Sequence, residues 1–220
     1  MHKIFSLSDS AITIDFGNVI DPQINDFVMK LYRFCTDNRF EGMIEAMPAY
    51  ASLTIFYDVP KVRKANPNTK TVFDIVKKYM ENSLQNLDHE QSTEKNLVEI
   101  PVIYDGEDLD FVAQYNQLTR EEIITIHTTP IYRVYMMGFL PGFAYLGGLD
   151  PKIATPRKAS PRTSVPAGSV GIAGNQTGIY PSTSPGGWQL IGRTERPLYT
   201  PNESKITLLK AGDLVKFVKI

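Results

Sequence analysis

The sequence predicts a small α+β domain over about the first hundred residues, followed by a mainly-β, barrel-like domain. Before residue 105, segments typical of strands are interleaved with amphipathic helices. From residue 131 onward, short extended segments are separated by Gly/Pro turns, and the sequence shows no helical periodicity. We therefore place the two domains at residues 1–102 and 103–220.

The first domain should hold helices on one face of a mainly antiparallel sheet. Asp21 before Pro22 combines an N-cap acceptor with a first-turn residue, and apolar residues then recur at helical spacing up to residue 37. Thr71 and Asp74 resemble a capping box, which would start a second amphipathic helix. The segments typical of strands are 11–16, 43–49, 51–59 and 96–104.

For residues 105–128 the sequence predicts a helical segment that connects the two domains and belongs to the second one. Thr119 and Glu122 form a good capping box, so a helix should begin there and end near His127. The acidic stretch DGED at residues 105–108 lacks the ligand spacing of an EF-hand. We interpret this stretch as a turn that carries an N-cap.

Composition and charge argue against several classes of protein. The 220 residues are 42% hydrophobic and 21% charged, which is ordinary for a globular chain. A formal net charge of −1 argues against a nucleic-acid binder, because phosphate binding needs a clustered basic excess. No apolar run approaches the roughly 18 residues of a membrane-spanning helix, and the first ten residues lack the apolar core of a signal peptide. We expect a cytoplasmic protein with no membrane or nucleic-acid partner.

Cysteine and histidine usage argues against disulfides and metals. The single cysteine, Cys35, cannot form an internal disulfide, and it falls on the apolar stripe of the first helix, where core packing is expected. His2, His89 and His127 lie far apart in the sequence. No metal site is therefore predicted.

The most unusual part of the chain is the segment from Met136 to Gly192, which holds 11 of the 15 glycines and 7 of the 15 prolines. Glycine permits positive φ and close backbone approach, whereas proline fixes φ and removes a donor. Phe139, Tyr180 and Trp188 are among the aromatic residues that would anchor such loops. Shaped loops on a rigid barrel are a typical binding surface.

The same segment carries an excess of positive charge. Its one acidic residue is Asp150, against Lys152, Arg157, Lys158 and Arg162. This excess in a slightly acidic chain favours an anionic ligand or partner, and a carboxylate or phosphate would suit the planar fork of arginine. A solvated basic surface loop is the alternative.

No familiar nucleotide-binding or nucleophile motif is present. The glycines of GSVGIAG are evenly spaced, so they match neither a dinucleotide fingerprint nor a Walker A loop, and no G-x-S-x-G elbow occurs. His127 adjoins the Gly/Pro segment and is a candidate general base or ligand donor, although a histidine at a helix C-terminus can merely interact with the helix dipole. Trp188 is interpreted as a barrel-core or cleft-wall residue.

Three long segments resemble a known protein family: YMMGFLPGFAYLGGLD, ATPRKASPRTSVPAGSVGIAGNQTGIYPSTSPGGWQLIGRT and LLKAGDLVKFVKI. They are similar to the family that contains the B subunit of 5-oxoprolinase, the inhibitor of a sporulation histidine kinase and allophanate hydrolase subunit 1. EAMPAYASLTIFYD and EIPVIYDGEDLDFVA extend the resemblance into the first half, so that it covers nearly the whole chain.

The resemblance implies an α+β N-terminal domain followed by a mainly-β, cyclophilin-like barrel domain. It also implies a B subunit that works with the homologous C subunit and with the A subunit in an ATP-dependent 5-oxoprolinase, a hydrolase that opens 5-oxoproline to glutamate. Such a subunit would be inactive alone and would share ATP with a partner. Phosphorylation of the lactam oxygen would supply a leaving group before water attacks.

The resemblance further implies a set of site residues. His127 would orient the substrate or move a proton, and Arg157 and Arg162 would bind an anionic group. The residues implied to line the substrate site are Gly138, Phe139, Pro141, Gly142, Gln176, Tyr180, Pro181, Trp188 and Gln189.

Two alternatives stay open at the level of sequence. One is a regulatory inhibitor of a sporulation-type histidine kinase, in which the cleft would bind a helix of the kinase. The other is the acceptor half of a urea or allophanate carboxyltransferase. The sequence has no biotinylation motif, so in that case the chain would not carry biotin itself.

Overall fold

The chain folds into two compact units, Met1–Thr93 and Glu94–Ile220, each with its own hydrophobic core. In this computed structural model the residues described are 2–68, 71–87, 96–204 and 206–220. Within them, no helix combines the length and the apolar character needed to cross a membrane.

The first unit is an antiparallel sheet with helices packed on one face. Its strands are β1 (Lys3–Ser8), β2 (Ala11–Asp15), β3 (Met43–Pro48) and β4 (Ser52–Tyr57), in the order β1-β2-β4-β3. Its helices are α1 (Pro22–Asp37), α2 (Val59–Ala65) and α3 (Val72–Gln85). Alternate residues of β2 and β4, such as Ile12, Ile14, Leu53 and Ile55, are fully buried against the helices. Cys35 is also fully buried there, as predicted.

The helix starts of the first unit follow from local capping. The Asp21 carboxylate accepts hydrogen bonds from the backbone N–H groups of Gln23 and Ile24, at 2.8 and 2.9 Å. The Thr71 hydroxyl accepts from the N–H of Asp74 at 3.0 Å and caps α3. Both predicted helix starts are therefore confirmed. The short helix α2 was not predicted, and the predicted strand 51–59 runs one residue into it.

The second unit is a nearly closed, barrel-like sheet with two helices. Its helices are α4 (Leu109–Tyr115) and α5 (Arg120–Thr128). The strands found in the described residues are β5 (Leu97–Val102), β6 (Tyr132–Met137), β7 (Ala144–Gly147), β8 (Arg162–Val165), β9 (Ser169–Ala173), β10 (Gln176–Ile179), β11 (Ser184–Gly186), β12 (Gln189–Arg193) and β13 (Leu214–Lys219). One sheet has the order β12-β9-β10-β7-β6-β13-β5, and β8 pairs with β11 in a second, two-stranded sheet.

The two ends of the large sheet meet through the segment that follows β5. Ile103 and Arg193 exchange backbone hydrogen bonds of 2.9 Å in both directions. Asp108 then donates its N–H to the carbonyl of Leu190, also at 2.9 Å. The stretch 103–108 therefore joins β5 to β12 and nearly closes the barrel, which confirms the predicted barrel-like character.

Strand β5 is a member of the large, seven-stranded sheet of the second unit, although it falls within the predicted first domain, 1–102. It pairs in parallel with β13 over its whole length, from Leu97 opposite Leu214 to Val102 opposite Lys219. Parallel pairing links segments far apart in sequence, so local periodicity does not reveal it. The predicted domain boundary near residue 102 stays a prediction.

The predicted bridge helices both form in the second unit. The hydroxyl of Thr119 accepts from the N–H of Glu122, and the Glu122 carboxylate accepts from the N–H of Thr119. This reciprocal pair is the predicted capping box. The helix that it starts, α5, ends at Thr128, one residue beyond His127.

Gly106→Ala is expected to destabilise the protein by about 1–3 kcal/mol. A Cβ atom at position 106 would overlap the backbone of Leu190 and Ile191, where the barrel closes. The free energy of unfolding, measured by urea titration, tests this. Gly187→Ala is the matched control, because a Cβ there meets Pro161 at an ordinary 3.6 Å. Equal stability of the two variants would contradict the tight closure at Gly106.

Candidate functional site

The second unit carries a pocket of about 280 Å³ on the Gly/Pro-rich side of the barrel. Its walls combine aromatic rings, prolines and glycines with two cationic side chains. The lining residues are Phe139, Phe143, Tyr145, Arg157, Lys158, Pro161, Tyr180, Pro185, Gly186, Gly187 and Trp188. All of them come from the segment that the composition marked as unusual.

Phe143 is the centre of a cluster of aromatic rings that forms the floor of the pocket. Its ring meets those of Phe139, Tyr180 and Trp188 edge-on, each with a centroid separation of 5.5 Å. Tyr145 adds a fourth ring at 4.9 Å. Edge-to-face packing of this kind is stabilising beyond the area it buries, so the cluster forms a rigid floor.

Phe139 stands at the rim of the pocket in an unusual backbone conformation. Its φ is +72°, in the left-handed region that bulky residues rarely adopt, and its side chain is 61% exposed. The turn is held by two backbone hydrogen bonds, from Gly138 to the carbonyl of Phe143 and from Phe143 to that of Leu140. A strained, exposed aromatic residue beside a cleft is typical of a functional position.

Arg157 is one of the two cationic residues that line the pocket. Its guanidinium carbon lies 5.9 Å from the ring centroid of Trp188, a cation–π geometry. The backbone on both sides is held, because the Gln189 side-chain amide donates to the carbonyl of Pro156 at 2.9 Å and the N–H of Lys158 donates to the carbonyl of Gly187 at 2.8 Å. The described part of the chain offers Arg157 no carboxylate partner within ion-pair distance.

Arg162 does not line the pocket and lies behind it. Its side chain is 16% exposed and reaches Asp108 at 2.5 Å and Glu107 at 2.6 Å. It also donates to the carbonyl of Trp188 at 3.2 Å. The structure therefore places Arg162 as a support of the backbone at Trp188, whereas the resemblance implied that it binds an anionic group. A direct role for Arg162 stays a prediction.

Asp108 is the partner that the sequence did not predict. The predicted turn and N-cap position are found, since Asp108 is the N-cap residue of α4, but its side chain makes no hydrogen bond to the helix. Its carboxylate accepts from Arg162, from the N–H of Leu190 at 2.7 Å and from Lys158 at 3.2 Å. Three donors that are distant in the sequence hold the Asp108 carboxylate, which explains why it is unavailable to cap the helix.

Carboxylates from outside the Gly/Pro segment thus offset most of its positive charge. Lys158 and Arg162 both pair with Asp108, and Arg162 also pairs with Glu107. The excess of positive charge within residues 136–192 was a signal for Asp108, because cations that pack against a barrel pair with carboxylates from other parts of the chain.

Tyr180 is part of the pocket lining. Its ring is buried, and a Cβ on Gly186 would overlap the Tyr180 hydroxyl, so glycine is required at that contact. Burial raises the pKa of Tyr180, while a hydrogen bond from the Trp188 backbone and the charges of Arg157 and Arg162 oppose the rise. The hydroxyl therefore stays protonated near neutral pH and can donate a hydrogen bond.

His127 lies in the barrel core, apart from the pocket lining. It has no exposed surface, and its ring stacks on Phe217 with centroids 4.6 Å apart. Nδ1 meets the hydroxyl of Tyr104 at 2.8 Å and Nε2 meets that of Thr177 at 2.9 Å. Burial lowers the pKa of His127 to about 3, so the ring is neutral near pH 7. His127 does not line the pocket, and its catalytic role stays a prediction.

The hydrogen bonds of Thr177 determine the tautomer of His127. The Thr177 hydroxyl donates to the carbonyl of Gly171 at 2.9 Å, so it can only accept from the histidine. Nε2 therefore carries the proton, and Nδ1 accepts from Tyr104. The histidine links a helix, α5, to the strand β10 inside the core.

The remaining predicted residues do not line the pocket. Gly142 has φ +83° and packs against Tyr199 and Pro181, where a Cβ would come within 2.9 Å of the Tyr199 side chain. Gln189 anchors the loop of Arg157 as described above. The others, Gly138, Pro141, Gln176 and Pro181, are absent from the pocket lining. Four predicted residues thus share the pocket: Phe139, Arg157, Tyr180 and Trp188.

Several lining residues were not predicted as site residues, namely Phe143, Tyr145, Lys158, Pro161, Pro185, Gly186 and Gly187. Phe143 and Tyr145 could have been found from the aromatic content of the segment. The two glycines had no such signal, because their role depends on contacts with Tyr180 and Pro161. Among the residues described, no group of three or more His, Cys, Asp or Glu side chains is arranged to hold a metal ion, and His89 lies outside those residues.

Comparison with known proteins defines the class. Residues 2–209 match the carboxyltransferase domain, subdomain C and D, and the chain belongs to this family. Its relatives include the B subunit of 5-oxoprolinase from Bacillus subtilis, which is 50% identical over 100% of this chain and 93% of that protein. The subunit of the same name from Escherichia coli O157:H7 is 40% identical over 73% of this chain and 79% of its own length. The predicted family resemblance is confirmed.

A solved structure supports the fold, and one further relative bears on an alternative. The crystal structure of TTHA0988 matches with a TM-score of 0.82 and 35% identity, and the match covers 96% of this chain but only 40% of that one. A putative urea carboxylase of Emericella nidulans is 34% identical over 41% of this chain and 8% of its own length.

Proposed function

We propose that this chain is the B subunit of an ATP-dependent 5-oxoprolinase and that it opens 5-oxoproline to glutamate together with the A and C subunits. The observation that carries the proposal is the 50% identity, over the whole chain, with the B. subtilis protein of that name. The proposal includes a cyclophilin-like topology for the barrel and a cytoplasmic location.

The chemistry of the pocket supports this substrate. 5-Oxoproline is a five-membered lactam that carries one carboxylate. The aromatic floor around Phe143 suits the flat ring, and Arg157 suits the carboxylate. The protonated hydroxyl of Tyr180 offers a hydrogen-bond donor to the lactam oxygen. A volume of about 280 Å³ can accommodate one small ring.

ATP fits this pocket less well than the lactam does. A nucleoside triphosphate is larger than 5-oxoproline and brings several negative charges, whereas the pocket lining contains Arg157 and a Lys158 that is already paired with Asp108. We therefore place the nucleotide mainly on a partner chain. When bound, ATP would supply the phosphoryl group that turns the lactam oxygen into a leaving group. This chain would bind and orient the lactam, and the aromatic floor of the pocket would keep water away from the bound ring.

A urea-related carboxyltransferase is the second candidate. The match to the putative urea carboxylase favours it, but that match covers less than half of this chain. Inhibition of a sporulation-type histidine kinase stays a prediction from the resemblance.

Reconstitution tests the proposed function. The purified chain alone is expected not to hydrolyse ATP in response to 5-oxoproline, and its mixture with the A and C subunits from the same organism is expected to do so. Phosphate release and glutamate formation measure the reaction, and mixtures that lack one of the three proteins are the controls. Turnover by the isolated chain would contradict its dependence on partners, and an inactive complete mixture would contradict the assignment.

A further inference from the structure

The acidic stretch 105–108 pairs with cations of the second unit, one of which, Lys158, lines the pocket. Asp105 lies 3.0 Å from Arg193, at the point where the barrel closes. Glu107 and Asp108 reach further, to the guanidinium of Arg162, and Asp108 also reaches the ammonium group of Lys158. This stretch is thus both the seam of the barrel and the rear support of the pocket.

Counting these groups gives the net charge of the pocket. Arg157 and Lys158 line the pocket, and Arg162 supports it without lining it; two carboxylates, Glu107 and Asp108, pair with Lys158 and Arg162. One positive charge remains. It belongs to Arg157, which the described residues leave without an acidic partner and which lies against the Trp188 ring.

We propose that Asp108 is a positioning residue that determines ligand charge: by offsetting Lys158, while Glu107 offsets Arg162, it leaves Arg157 as the single cation presented, so that the pocket takes small monoanions in preference to dianions. This inference rests on the proposed function, because it takes the pocket to be the substrate site. It goes further in assigning the charge preference to a residue that does not touch the substrate.

The burial of Asp108 makes it suitable for this role. Its side chain is 8% exposed, so its charge is poorly screened by solvent and acts strongly on the neighbouring ammonium and guanidinium groups. It also fixes both sides of the pocket, since it holds Lys158 next to Arg157 and accepts from the N–H of Leu190, two residues after Trp188. Loss of the carboxylate charge would leave a second cation unpaired at the pocket.

Trp188 provides a local signal for the test, because it is the only tryptophan in the sequence and it lines the pocket. The full chain is titrated near neutral pH with L-5-oxoproline, a monoanion, and with succinate, a dianion, and the Trp188 emission gives both dissociation constants. The unsubstituted chain is expected to bind 5-oxoproline more tightly. Asp108→Asn is expected to shift the ratio of the two constants toward succinate by roughly fivefold at low salt, and less at high salt.

Two further variants make the test decisive. Asp110→Asn is the matched control, since Asp110 makes the same kind of pair with Arg120 outside the pocket lining and should leave the ratio unchanged. Glu107→Gln carries the test if Asp108→Asn does not fold, because Glu107 is 63% exposed and pairs with the same Arg162. Its shift should have the same direction and be smaller.

The proposal is overturned if the ratio stays unchanged in the folded variants, or if neither anion alters the Trp188 emission of the full chain. Either result leaves the proposed function standing as long as the reconstituted assembly turns over 5-oxoproline. An inactive reconstituted assembly would instead remove the proposed function, whatever the binding ratio.

Discussion

Arg157→Ala is expected to lower kcat/KM for 5-oxoproline in the reconstituted assembly by about 10- to 100-fold, the range set by a hydrogen-bonded charge pair. Most of the loss should appear in KM, because the Arg157 guanidinium binds the substrate carboxylate before and after the chemical step alike. Steady-state kinetics with varied 5-oxoproline measure the effect. Arg157→Lys should recover only part of it, since an ammonium group cannot form the bidentate pair or stack on Trp188 in the same way.

Arg120→Ala is the matched control for Arg157. Arg120 is an arginine of the same unit that is paired with Asp110 outside the pocket lining, so its loss should leave KM unchanged. An Arg157→Ala assembly with normal kcat/KM would remove this arginine from the site. A loss confined to kcat would assign it to the transition state instead of to substrate binding.

His127→Ala is expected to cost about 3–5 kcal/mol of stability near neutral pH, the range for removing a large buried ring. The change leaves a cavity beside Phe217 and deprives the hydroxyls of Tyr104 and Thr177 of their partner. Urea unfolding measures the loss. His2→Ala is the control, because His2 is an exposed residue near the chain start and its loss should change stability little.

The pH dependence of stability gives a second test of His127. Its pKa is about 3 in the folded state and about 6.5 in an unfolded chain. Above pH 6.5 both states are neutral and stability is unaffected. As the pH falls below 6.5 the unfolded state gains the proton first, so stability should fall by about 1.4 kcal/mol for each pH unit until about pH 3.

The variant His127→Phe separates the contribution of His127 to the pH dependence of stability from the contribution of the carboxylates. The variant keeps a ring against Phe217 but cannot titrate, so the difference in unfolding free energy between it and the parent should narrow as the pH is lowered from 7 to 5. A constant difference over this range would contradict a neutral, buried His127. A folded His127→Phe chain with no activity in the assembly would favour the predicted proton-transfer role.

The elements that the sequence predicts well are those held by near neighbours. The cap of α1 by Asp21 and the capping box of α5 join residues two or three positions apart, and the apolar stripes of α1 and α3 repeat every turn. The same is true of the Gly/Pro and aromatic content that located the pocket. Phe139, Arg157, Tyr180 and Trp188 were found because they belong to one unusual stretch of chain.

The features that the sequence did not reveal depend on contacts across long separations. Arg162 and Asp108 pair over 54 residues, and Thr177 lies 50 residues from the histidine that it fixes. Strand β5 pairs with β13, more than a hundred residues further on. Composition showed three excess cations but could not show that Asp108 and Glu107 would be folded against them.

The sequence alone therefore determined the capping motifs, the amphipathic spacing and the location of the aromatic Gly/Pro segment, because each depends on residues that are close together along the chain. Only the tertiary structure decided which charges face the pocket and which are paired with carboxylates. It also decided that His127 is buried in the core. Closure brings distant segments within hydrogen-bond distance and excludes water, and the free energy of a charge depends on that exclusion more than on its position in the sequence.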